Sequence, residues 1–173
     1  MNTPILRRAA PTDAAIVLDI FQQCARDMRD RLGMTNWESW LDWTETRMVA
    51  ELARVDLYLV EVDGEVAATF SIQPNPLGYF DMTLWHEPDA DAIYLRRLGV
   101  KPAFQGRTLG DWCLRACEAL ARQKGYSVVR FDADAHATRL LAFYERHGYQ
   151  RRGQVVFNAA LDQVFECFEK RLA

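Results

Sequence analysis

The sequence predicts an α/β fold of the α+β kind, with a mixed central sheet of about seven strands flanked by about four helices. Three observations carry this expectation. Two apolar runs flank Asp63-Gly64, a dipeptide suited to a tight primed turn, so an antiparallel hairpin is expected there. Residues 93–133 read as strand, helix and strand, which makes a right-handed crossover and a parallel pair. The 173 residues, half of them hydrophobic, suit one core and a single domain over residues 1–173.

Taken in order, residues 4–8 are a short strand. Thr12-Asp13 then open an apolar-periodic helix that runs to about Arg31 and ends at Gly33. Residues 37–41 are aromatic and irregular. A second helix over 44–53 gathers Met48, Val49 and Leu52 on one face. The hairpin strands occupy 57–62 and 66–73. Residues 74–88 hold three prolines together with Tyr79, Phe80 and Trp85, the composition of a long loop that shapes a pocket. Strand 93–100 breaks at Pro102, and helix 109–124 stops at Gly125. Strand 127–133 follows, then a short helix over 138–147 closed by Gly148, then two strands over 150–157 and 163–170.

Bulk properties exclude several classes of function. A net charge of -3 and a pI near 5.6 provide no general attraction to nucleic acid or to an anionic membrane. The first eight residues carry no apolar run of signal-peptide length, so a cytoplasmic protein is expected. Cys24, Cys113, Cys117 and Cys167 are too scattered for a structural zinc site and are expected as buried free thiols, with no metal.

The segment from Val100 to Gly110 places a strand end, a turn and a helix start within a few residues. Unpaired N–H groups converge there at the positive end of the helix dipole. Gly106 and Gly110 permit close approach of a ligand, and Arg107 can add a charged contact, so a diphosphate fits. An ordinary glycine-rich connection is the alternative for this segment alone. The Walker pattern is absent, which counts against a nucleotide-phosphate enzyme.

These residues resemble the GNAT superfamily of N-acetyltransferases. The family motif is Arg/Gln-x-x-Gly-x-Gly/Ala after a strand of the form Leu-x-Val. Here Leu98, Gly99 and Val100 precede Gln105, Gly106, Arg107, Thr108, Leu109 and Gly110, with Thr108 where the family usually has glycine. A second stretch, Leu140-Leu-Ala-Phe-Tyr144-Glu-Arg-His-Gly148-Tyr149, is similar to the family's closing helix. Ala137 stands where the family often has asparagine.

The resemblance implies a sheet splayed at an acetyl-CoA cleft, often at a β-bulge. Leu98, Gly99 and Val100 would bind the pantetheine arm, and residues 105–110 the diphosphate. Ala137, Arg139, Leu140 and Tyr144 would complete the acetyl-CoA contacts. Tyr144 maps onto the family's general acid, with core packing as its other reading. The strand position where some relatives carry a base has no carboxylate here, which leaves Asp132, with Asp134, His136 and His86 behind it, or water; a solvated strand-end aspartate with no role in the reaction is the other reading of Asp132.

Trp37, Trp40, Tyr79, Phe80, Trp85 and Arg96 are candidate walls and anchors for an acceptor, and core packing or an oligomer surface is the other reading of the tryptophans. The implied reaction is acetyl transfer from acetyl-CoA to a primary amine of a small molecule. An acyl-CoA-binding sensor of weak activity and a peptide N-acetyltransferase are the alternatives. Terminal strands with apolar edges make a homodimer an expectation.

Overall fold

A computed structural model describes residues 3–106 and 108–173. Its elements are β1 (Ile5–Arg8), α1 (Ala14–Leu32), α2 (Glu45–Leu52), β2 (Asp56–Val62), β3 (Glu65–Gln73), β4 (Ala92–Val100), α3 (Leu109–Gln123), β5 (Val128–Asp134), α4 (Thr138–Arg146), β6 (Gln150–Asn158) and β7 (Gln163–Arg171). The seven strands form one mixed sheet in the order β1-β2-β3-β4-β5-β7-β6. Among the described residues no helix is long and apolar enough to cross a membrane.

Contacts divide the chain into two compact units. The first comprises residues 1–72 and 96–116, the second 73–95 and 117–173.

In the first unit, β1, β2 and β3 are antiparallel neighbours. The β2–β3 turn follows its dipeptide: Asp63 and Gly64 take φ of 53° and 86°, as a primed turn requires. Helix α1 ends at Gly33, whose N–H donates to Arg29 O. The Thr44 side chain caps α2 by accepting from Arg47 N. Val17, Ile20, Phe21 and Cys24 of α1 share a core with Met48 and Leu52 of α2 and Leu57 and Leu59 of β2. The spacing of the α1 residues is that of one buried helical stripe.

In the second unit, β5 is parallel to β4 over Ala92–Tyr94 and antiparallel to β7 along its whole length. β7 in turn pairs with β6. Phe131 of β5 packs on Tyr144 of α4, Tyr149 and Phe168, with ring centroids 4.5, 4.8 and 5.5 Å away. The loop expected over 74–88 is irregular apart from one short 3-10 turn at Met82–Leu84. All four cysteines are free and buried.

Candidate acetyl-CoA and acceptor sites

Strand β4 carries one left-handed residue before its end. Arg97 sits at φ 56° inside the strand, a left-handed conformation that ordinary strand residues avoid. Two residues on, Gly99 is buried, and a Cβ there would lie 3.2 Å from Trp37 Cη2 and 3.3 Å from Cys24 Sγ. Only glycine therefore lets α1 and the Trp37 ring approach the strand so closely.

The carbonyl of Val100 ties three segments together. It accepts from the Gln105 side-chain amide at 3.1 Å and from the Cys24 thiol at 3.4 Å. Burial pushes that thiol up to about 12, so it remains a neutral donor. The Gln105 side chain also takes a hydrogen bond from Arg31 at 3.1 Å and lies 3.5 Å from Asp27. The Arg31 guanidinium holds the Asp27 carboxyl below its usual range. Gln105 thus fixes the turn to α1 and β4.

After that turn the chain passes through two left-handed positions, Gly106 at φ 72° and Thr108 at φ 62°, before α3 begins at Leu109. A Cβ on Gly106 would meet nothing within 4 Å, so its backbone is open to a bulky anion. Leu109 is buried and anchors the helix start. Trp112 N donates to Thr108 O at 3.1 Å, which places Thr108 at the cap of α3. Thr108 therefore adopts the conformation for which glycine is suited. Arg107 lies outside the described residues.

On β5 the side chains alternate. Tyr144, which Phe131 meets on α4, is buried, and burial followed by the nearby charge of Asp132 raises its phenol well above the usual value. The phenol stays protonated across the neutral range, as a proton donor must. Asp132 is half-buried and accepts a 2.7 Å hydrogen bond from the Tyr79 hydroxyl. In the same unit Tyr79 meets Phe80 and Phe157, each with ring centroids 5.1 Å away. Phe80 and Trp85 are buried core residues of this unit, packed with Tyr94, Val155 and Cys167. In the first unit Trp37 and Trp40 both pack on Phe21. Ala137 heads α4 without a side-chain cap, and Arg139 and Leu140 are exposed in its first turn.

Periodicity alone did not single out Arg130. It is 1% exposed, donates to Glu169, Pro88 O, Glu87 O and the Tyr94 hydroxyl, and lies 4.9 Å from the Trp85 ring. Glu169 also accepts from Arg152 and from His86 N. A charged residue inside the run Val128-Val129-Arg130-Phe131 was the available signal, because a buried strand cation requires a partner. Arg97 was the other omission. Its φ has no counterpart in the hydrophobic pattern.

The model of the Acetyltransferase (GNAT) family matches residues 15–149, most of the chain. The chain belongs to the GNAT acetyltransferase family. Among solved structures, a GNAT-family acetyltransferase from Listeria monocytogenes is 25% identical, with 98% of this chain and 95% of that one covered at a TM-score of 0.75. One from Streptococcus agalactiae reaches a TM-score of 0.78 at 16% identity, with 99% and 97% covered. The PaiA N-acetyltransferase of Thermoplasma acidophilum, solved in complex with coenzyme A, is 14% identical, with 98% and 99% covered at a TM-score of 0.71. Among the described residues no group of three or more His, Cys, Asp or Glu side chains is arranged to hold a metal ion.

Proposed function

We propose that the chain transfers an acetyl group from acetyl-CoA to a primary amine of a small molecule by direct attack in a ternary complex. One observation carries the reading. The turn through Gly106 and Thr108 opens onto the N-terminus of the 15-residue α3, where the helix dipole favours anions. Gln105, Gly106, Arg107, Thr108, Leu109 and Gly110 bind the diphosphate. Backbone groups of Leu98, Gly99 and Val100 bind the pantetheine arm, in the manner of an added strand. Ala137, Arg139 and Leu140 complete the contacts.

In the reaction, Asp132 takes the proton that the amine loses on attacking the thioester carbonyl. Tyr144 gives its phenolic proton to the departing thiolate as the carbon–sulfur bond breaks. The products are free CoA thiol and the acetylated amine. Holding amine and thioester together supplies much of the acceleration. Tyr79, hydrogen-bonded to Asp132 and backed by the core in which Phe80 and Trp85 are buried, shapes the acceptor's surroundings, and a homodimer is the proposed assembly.

A second reading is an acyl-CoA-binding module of weak activity, favoured by Thr108 at a glycine-like φ. Thermal-shift screening of amines with acetyl-CoA present, followed by a thiol-release assay on the hits, separates the two. Release that depends on a particular amine supports transfer. Tight CoA binding without release across the panel supports the module.

A further inference from the structure

Where β6 stops short of the end of β7, the second unit holds a cavity of about 240 Å³. The register accounts for it. Gln150, the first residue of β6, pairs with Glu169, whereas β7 continues to Arg171, which lies opposite Val128 at the start of β5. The last two residues of β7 therefore keep β5 beside them and have outrun β6. Asp132, the proposed base, stands four residues along β5 from Val128, about 13 Å away at the usual rise of a strand. The cavity is thus separate from the proposed reacting carboxylate.

The lining is rich in charge. Arg152, Lys170 and Arg171 border the cavity together with His86, Glu87 and Glu169. The acidic groups are already engaged. Glu169 is 5% exposed, and its Oε1 accepts from Arg152 Nε at 3.0 Å and from His86 N at 3.2 Å. Its Oε2 accepts from the buried Arg130 at 2.8 Å. Glu87 Oε2 accepts from Arg171 Nη1, and Lys170 is spent on Glu118 and the His147 carbonyl. The guanidinium groups of Arg130, Arg152 and Arg171 thus meet two carboxylates, which leaves one positive charge in excess.

Donors are in excess as well. Arg152 uses Nε and, on Gln150 Oε1, Nη2, while Arg171 uses only Nη1. Among the described residues, Arg152 Nη1 and the Nε and Nη2 of Arg171 meet no acceptor. The carboxylates hold both guanidinium groups beside the cavity before any ligand arrives, so little side-chain freedom remains to be lost on binding. Such forks match the oxygens of a carboxylate or a phosphate.

We propose that this cavity is a second ligand site, which takes a small molecule by its carboxylate or phosphate group. Arg152 and Arg171 donate to the oxyanion, and the remainder of the ligand fills the space toward Val128. The volume lies below the roughly 300–1,000 Å³ of drug-sized sites, so the ligand is a small one. The claim stands apart from acetyl transfer.

Calorimetric titration of the full chain with inorganic phosphate and with malonate tests it, with CoA present in excess to fill the turn before α3. At least one probe should bind saturably at millimolar concentration. Arg152→Gln and Arg171→Gln should each weaken it by about tenfold or more, the loss of a hydrogen bond to a charged group. Binding of phosphate alone assigns the site to phosphate esters, and binding of malonate alone to carboxylates. Arg171 has a side chain 65% exposed, so its substitution serves if Arg152→Gln does not fold. Arg26→Gln, which removes an exposed charge from α1 in the first unit, should leave the affinity unchanged.

The site is overturned if neither probe binds, if binding survives both lining substitutions, or if Arg26→Gln weakens it equally, the mark of general charge attraction. A chain that fails to bind CoA would sink the acetyl-transfer reading, and the arginine variants would still decide the fate of the cavity.

Discussion

The Tyr79 hydroxyl donates a 2.7 Å hydrogen bond to Asp132 Oδ2, joining two residues 53 positions apart. The carboxylate assigned as the base is thereby held by the aromatic loop that precedes β4. Tyr79→Phe removes the donor and keeps the ring packing, so turnover falls by about tenfold while CoA binding is unchanged. Asp132→Asn slows the reaction further. Steady-state thiol release measures both, and a Tyr79→Phe enzyme with wild-type kcat and KM would detach the loop from catalysis.

Thr108→Gly is expected to stabilise the protein. A threonine at φ 62° carries about 1–3 kcal/mol of backbone strain, offset in part by the greater freedom of glycine in the unfolded chain. The net gain is about 1 kcal/mol, or about 2–4 °C in melting temperature for a chain of this size. CoA affinity, read by calorimetry, holds or improves. A lower melting temperature would show that the threonine side chain contributes more than its backbone costs.

Gly99→Ala acts in the opposite direction. The new methyl group meets the Trp37 ring at 3.2–3.3 Å and Cys24 Sγ at 3.3 Å. A loss of about 1–3 kcal/mol is expected in urea unfolding. Trp37→Phe, which removes the crowding ring atoms, restores part of it in the double variant.

Much of the fold is legible in local chemistry. The hairpin follows from Asp63-Gly64, the end of α1 from Gly33, and the turn into α3 from Gly106 beside a helix start. The interactions that organise the second unit are not local. Arg130 meets Glu169 across 39 residues, and Tyr79 meets Asp132 across 53. Periodicity marks a residue as buried or exposed and does not name its partner. The φ of Arg97 likewise leaves no mark in the hydrophobic pattern, so the sequence pattern points to neighbouring Arg96 just as readily.

Arg130→Ala tests the buried pair. It strands Glu169, which is 5% exposed, with Arg152 as its remaining cationic partner. Losing one member of such a pair costs about 3–5 kcal/mol. Denaturant unfolding should show it, and a cost below about 1 kcal/mol would place the pair with ordinary surface bridges.

Alkaline pH should destabilise the protein in two stages. Burial raises the thiols of Cys24, Cys113 and Cys167 and the phenols of Tyr144 and Tyr149. Each raised group keeps its proton in the folded chain at a pH where the unfolded chain has lost it. The stability it contributes is complete below the unfolded value and is lost as pH rises above it. Melting temperature should therefore begin to fall past about pH 8.5, the ordinary thiol value, and fall more steeply past about pH 10, where free tyrosine ionises. Tyr144→Phe should flatten the second stage, and an unchanged slope would mean that the phenol is not buried in solution.

Acetyl transfer itself is tested most directly by incubating the wild type and Tyr144→Phe with acetyl-CoA and an amine selected by thermal shift, then following thiol release alongside the mass of the amine. The wild type should release one thiol for each amine that gains an acetyl group, and Tyr144→Phe should bind acetyl-CoA equally well but turn over more slowly. Tight CoA binding by both proteins, with no acetylated amine from any member of the panel, would contradict the account.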